Sequence, residues 1–73
     1  MKQSEFRRAM AEEFGEAYAT VLLRDHWLAE FSATPNEALS EGATPRDVWL
    51  SLCADLQVPQ ERWHGRGLRD PRD

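Results

Sequence analysis

Thr34-Pro35-Asn36-Glu37 and, ten positions later, Thr44-Pro45-Arg46-Asp47 are the two stretches that decide the fold. A threonine before proline, with an acid three residues on, is how a helix begins. The threonine hydroxyl accepts an orphan backbone N–H, the proline needs no donor in the first turn, and the acid faces the positive end of the helix dipole. Between the two starts lies Glu37-Ala38-Leu39-Ser40-Glu41-Gly42, short enough for about two turns, with Gly42 suited to the left-handed residue that ends a helix. The region therefore predicts a short helix over about 35–41, a tight corner at Gly42, and a longer helix over about 45–57. The longer helix carries Val48, Trp49, Leu52, Cys53 and Leu56 on one apolar side, with Leu50 and Ala54 opposite.

Towards the N-terminus the same helical logic applies. Phe6, Met10 and Phe14 recur every four residues with Ala9 beside them, giving a helix over about 5–14 with Ser4 as its cap and Gly15 as its stop. A second helix is expected from about Glu16 to Phe31. Tyr18, Leu22 and Ala29 share one side of it, with Val21 and Leu28 alongside, while Leu23 and Trp27 lie further round. Apolar residues spread so widely predict a central helix packed by more than one neighbour. Asp25 falls inside that arc, where an unpaired carboxylate would be costly. The expectation is that it receives an arginine or caps the N-terminus of a neighbouring helix, and that His26 is a satisfied buried imidazole. Val58-Pro59 breaks the chain, and Pro59 to Trp63 forms a last turn. Alternating strand patterns are missing. The fold class is all-α: a small bundle of three main helices and one short one over residues 1–63, followed by a disordered tail at 64–73.

Composition bounds the function. The chain has 73 residues, 41% apolar, with a net charge of −4. A domain of this size buries only about 60% of its unfolded surface, too little for a deep catalytic pocket. The charge is uneven. Residues 1–8 set Lys2, Arg7 and Arg8 against Glu5, a balance of +2. Residues 9–61 set Arg24 and Arg46 against ten acids, a balance of −8. Residues 62–73 set four arginines against Asp70 and Asp73, again +2. An acidic body repels polyanions, so nucleic acid is a disfavoured partner. No apolar run exceeds three residues, which predicts neither a membrane span nor a signal peptide, and the default expectation is a soluble cytoplasmic monomer. Cys53 is alone, which excludes an intrachain disulfide, and its place on an apolar helix side predicts a buried, inert thiol.

No catalytic set survives inspection. The glycines stand at helix ends or in the tail, and His26, Cys53 and His64 lack metal-ligand spacing, so neither enzyme activity nor a cofactor is expected. Two function classes remain. Counted from Thr34, Ala38, Gly42 and Val48 occupy the fifth, ninth and fifteenth positions that a helix-turn-helix fills with a small residue, a turn glycine and a branched core residue. Its second helix, however, offers Arg46, Asp47, Leu50, Ser51 and Asp55 to a groove, a poor set beside phosphate. The leading expectation is a small non-catalytic interaction or regulatory module, with a protein partner met by the second and fourth helices. Trp27, Arg46, Leu50 and Trp63 are its candidate contact residues, and Asp25, His26 and Asp47 its structural polar ones. Trp27 and Trp63 have an alternative role, completing the core.

Several segments in combination resemble one family. They are Glu5-Phe6-Arg7, Glu13-Phe14-Gly15-Glu16-Ala17-Tyr18-Ala19, Arg24-Asp25-His26, Glu37-Ala38-Leu39 with Gly42, and Pro45-Arg46-Asp47-Val48-Trp49 with Leu52-Cys53. Together, over about residues 2–63, they resemble the actinobacterial domain of unknown function 3046. The resemblance implies a small helical cytoplasmic protein without an assigned activity. It also implies that Leu50 stands where relatives carry arginine. Its two polar-aromatic signatures, Arg24-Asp25-His26 and Pro45-Arg46-Asp47-Val48-Trp49, sharpen the expectation for Asp25: it meets Arg46 or the start of the fourth helix, tying helix two to helix four.

Overall fold

A computed structural model describes residues 1–63, and the expected tail at 64–73 lies outside the described residues. The chain forms α1 (Gln3–Phe14), α2 (Glu16–Asp25), α3 (Pro35–Ser40) and α4 (Pro45–Asp55), then a 3-10 turn at Gln60–Arg62. Among the described residues there is no strand, only an isolated bridge between Leu28 and Ala33. The all-α class and the helix order follow the sequence reading. Packing runs round the bundle: α1 lies against α2 and α4, and α3 against α2 and α4.

The two threonine caps form as read. Thr34 Oγ1 accepts the Glu37 N–H at 3.3 Å, and the Glu37 carboxylate returns the contact to the Thr34 N–H at 3.1 Å. Thr44 Oγ1 accepts the Asp47 N–H at 3.1 Å. The first helix departs from expectation at its start. Ser4 is inside α1, and Lys2 caps it, its backbone N–H donating to the Glu5 carboxylate at 2.8 Å. The Glu5 carboxylate does more for the first turn than a serine hydroxyl at position 4, because it carries a full charge at the dipole's positive end.

Helices α3 and α4 end in the same way. After α3, the Ala43 N–H reaches the Ala38 carbonyl at 3.0 Å and Gly42 that of Leu39 at 3.2 Å. After α4, Val58 reaches Cys53 at 2.9 Å and Gln57 reaches Ala54 at 3.3 Å. Both are the reverse-turn cap that needs a positive φ at one residue. Gly42 supplies it at φ 108°, and at α4 the non-glycine Gln57 does so at φ 57°. This cap stops α4 at Asp55, two residues before the expected end.

The largest correction concerns α2, which stops at Asp25 rather than Phe31. His26 is extended, Leu28 and Ala33 pair across a tight turn at 2.8 and 3.4 Å, and Ser32 sits at φ 52°. Leu28 explains the break. At about 100° per residue, a continued helix would aim it roughly 150° away from the side that carries Ala19 and Leu22. Leaving the helix lets Leu28 turn inward, where it is fully buried. The buried side of α2 is accordingly that of Ala19 and Leu22, while Tyr18, Val21 and Ala29, expected inside, are exposed.

The core is an aromatic and aliphatic cluster led by Trp49, Phe6, Met10, Leu28, Leu52 and Val48, all fully buried. Phe6 and Phe14 each meet the Trp49 ring edge-on, with centroids 6.4 Å apart in both pairs. Each large side chain so buried contributes roughly 1.5–3 kcal/mol relative to exposure, so α4 supplies the greatest share.

Candidate functional site

The structure separates the sequence-nominated residues into two groups. Trp63 and Leu50 belong to the core's edge, both half-buried against it. The Trp63 indole N–H donates to the Val58 carbonyl at 2.6 Å, and the Trp63 carbonyl in turn accepts the Trp49 indole N–H. Trp63 thus packs against the core at its edge, partly buried. The adjacent Arg62 fastens the same turn to α1, its Nη2 lying 2.9 Å from Glu13 Oε2. Glu13 is a residue the sequence reading missed. Its side chain is only 10% exposed, and its spacing gave no sign of a partner 49 residues away.

Trp27 is the other kind. It stands 59% exposed just past the end of α2. Its backbone is held on both sides. His26 Nε2 lies 3.1 Å from Asp55 Oδ2 at the end of α4, and Leu28 is pinned in the core and bridged to Ala33. The exposed ring is thus carried on a fixed mount. On the outward side of α2, Tyr18 is 52% and Val21 42% exposed, one turn apart. Tyr18 packs edge-on against Phe14, with centroids 6.1 Å apart, which extends the aromatic cluster from Trp49 to the surface.

The polar nominees fall out differently. Asp25 does not meet Arg46 or the start of α4. It is exposed and paired with its neighbour Arg24, at 3.1 and 3.0 Å. The reason is the rotated core side of α2, which turns position 25 outward. The hydrogen bond from Arg24 holds the Asp25 carboxyl below its usual range. The tie from α2 to α4 exists, but His26 and Asp55 make it. Asp47 is exposed in the first turn of α4, and Arg46 is exposed without an ion pair among the described residues.

Cys53 is buried, as its helix position implied, and burial together with the Glu13 charge pushes its thiol up to about 12. Such a thiol stays protonated and unreactive near neutrality. Among the described residues no group of three or more His, Cys, Asp or Glu side chains is placed to hold a metal ion. None of the helices described is long and apolar enough to cross a membrane. A shallow groove of about 280 Å³ lies between α1 and α2, floored by Met10, Ala19 and Leu23 with Arg7 and Glu16 at its rim.

Residues 1–61 match the family model described as Protein of unknown function (DUF3046). The chain belongs to this family. The match takes in every helix and the mount of Trp27, so the fold described is that of a DUF3046 domain over nearly all the described residues. No curated protein and no solved structure matches the chain. The description of the DUF3046 family carries no activity.

Proposed function

We propose that this DUF3046 protein is a non-catalytic interaction module whose recognition face is centred on Trp27. The observation that carries the reading is the 59% exposure of Trp27 on a backbone fixed by the His26–Asp55 contact and the Leu28–Ala33 bridge. Tryptophan dominates the binding energy of protein interfaces because it brings a large apolar area at little conformational cost. A rigid mount lowers that cost further, since little ordering remains to be done on binding. Tyr18 and Val21 supply further uncovered apolar surface on α2.

The test is affinity capture from native extract with the full chain and with Trp27→Ala. A protein retained by the first and lost by the second supports the reading, and identical retention by both overturns it.

A second reading rests on the α3–α4 corner. Ala38 and Val48 are buried and Gly42 turns at φ 108°, which is the spacing of a helix-turn-helix. Against it, the exposed side of α4 presents Asp47 and Asp55 beside Arg46. A gel shift on duplex DNA at low salt decides. Complexes that dissolve as salt rises would favour this second reading, because phosphate contacts release counterions.

A further inference from the structure

Between Arg24 and Arg46 the stretch of chain that carries Trp27 holds charge of one sign. From Asp25 to Pro45 the sequence holds four carboxylates and no lysine or arginine. Two of the four are engaged within the chain, Asp25 by Arg24 and Glu37 by the Thr34 N–H. Glu30 and Glu41 are exposed, and neither side chain makes an ion pair among the described residues. Glu30 is exposed in the tight turn closed by Leu28 and Ala33, three residues along the chain from the exposed Trp27. Arg24, the nearest cation in sequence, is taken up by Asp25.

We infer that the partner seated on Trp27 is a basic protein segment, with an arginine or lysine laid over the Trp27 indole and its charge turned toward Glu30. The inference rests on the interaction reading above and names the chemistry of its partner. Indole presents the most negative face of the aromatic side chains, and a cation over it gains further from a nearby carboxylate. The −8 balance of residues 9–61 steers a basic segment in and slows the approach of an acidic one. Nucleic acid and anionic lipid meet the same repulsion.

The experiment uses two labelled synthetic peptides, one of arginine, alanine and leucine, the other with glutamate in place of arginine. Each is titrated with the full chain at about 0.15 M salt, where the Debye length is near 8 Å and diffuse attraction is largely screened. The arginine peptide is expected to bind and the glutamate peptide not to. Trp27→Ala should weaken binding about tenfold or more, as loss of an anchor does. Glu30→Gln should weaken it about threefold, as loss of one exposed charge does. Glu61→Gln, which removes an exposed charge from the 3-10 turn, should change it less than about twofold. Three outcomes overturn the inference: no binding of the arginine peptide, equal binding of both peptides, or equal losses from Trp27→Ala and Glu61→Gln. If extract capture depends on Trp27 while any of these holds, the basic partner alone falls and the interaction reading stands.

Discussion

Replacing Gly15 by alanine isolates one backbone term that the whole architecture depends on. Gly15 is the single residue between α1 and α2, and it holds φ 84° and ψ 151°. That combination is essentially closed to residues with a Cβ, and occupying such a region costs of order 1–3 kcal/mol. A Cβ built at Gly15 meets nothing within 4 Å, so alanine adds no clash across the joint and the cost is conformational. Against it, alanine narrows the unfolded ensemble, which returns about 0.4–1 kcal/mol. Taking the middle of both ranges, the net expectation is a loss of roughly 1–2 kcal/mol. For a domain of this length each kcal/mol shifts Tm by about 4–8 °C, so the melt should fall by about 4–16 °C. The assay is thermal and urea unfolding followed by far-UV circular dichroism, with an unchanged urea slope showing that the folded and unfolded states keep their extents. Gly42→Ala, at φ 108° and equally open, provides the parallel case. A Gly15→Ala chain that melts at or above the parent temperature would refute the reasoning, since alanine would then be accommodated at that joint without strain.

The same physics with opposite sign applies at Gln57. Its φ of 57° holds a side chain in the left-handed region, so Gln57→Gly should raise stability by about 0.5–1 kcal/mol, read as a higher urea midpoint at unchanged slope. Asp25→Ala should shift stability by less than about 0.5 kcal/mol, because the Arg24 pair it breaks is solvent-exposed; a larger fall in the melt would restore Asp25 to a structural role. Cys53 gives a pH dependence. Its thiol is pushed to about 12 in the fold, and an unfolded thiol titrates near 8.5. Above that lower value the unfolded chain binds fewer protons than the folded one, so stability drops as pH rises from about 9 towards 12, by up to about 1.4 kcal/mol per pH unit. Cys53→Ala should remove this part of the slope in paired denaturation curves. An unchanged slope would show that the thiol ionises as readily in the fold as out of it.

The helices that carry their own punctuation are the ones legible in the sequence. Thr34, Thr44, Gly15 and Gly42 mark starts and stops by local chemistry, and the structure uses all four. The end of α2 has no such mark, since neither glycine nor proline lies between positions 16 and 34. It is set by Leu28, whose need for the core outweighs continuing hydrogen bonds, and periodicity alone reads the stretch as unbroken helix. That one break rotates the buried side of α2. It turns Tyr18, Val21 and Asp25 outward, which is why the exposed apolar strip and the His26–Asp55 tie were not foreseen. Gln57 hid the stop of α4 because only glycine announces a left-handed residue. Trp27 and Trp63 look alike as candidates along the chain. Two hydrogen bonds, through the Trp63 carbonyl and its indole N–H, tie Trp63 to the edge of the core, while Trp27 is exposed.

The central claim is that Trp27 serves binding and not the fold. Its most direct test is quantitative capture from native extract by the parent chain and by Trp27→Ala, at concentrations where both are fully folded. With Trp27 59% exposed, the substitution should cost well under the roughly 3–5 kcal/mol of truncating a fully buried tryptophan. The account predicts a protein carrying a basic segment that the parent retains and the variant loses. Equal retention by the two chains would contradict it, as would a Trp27→Ala chain destabilised by roughly 3 kcal/mol or more, the cost of a buried tryptophan.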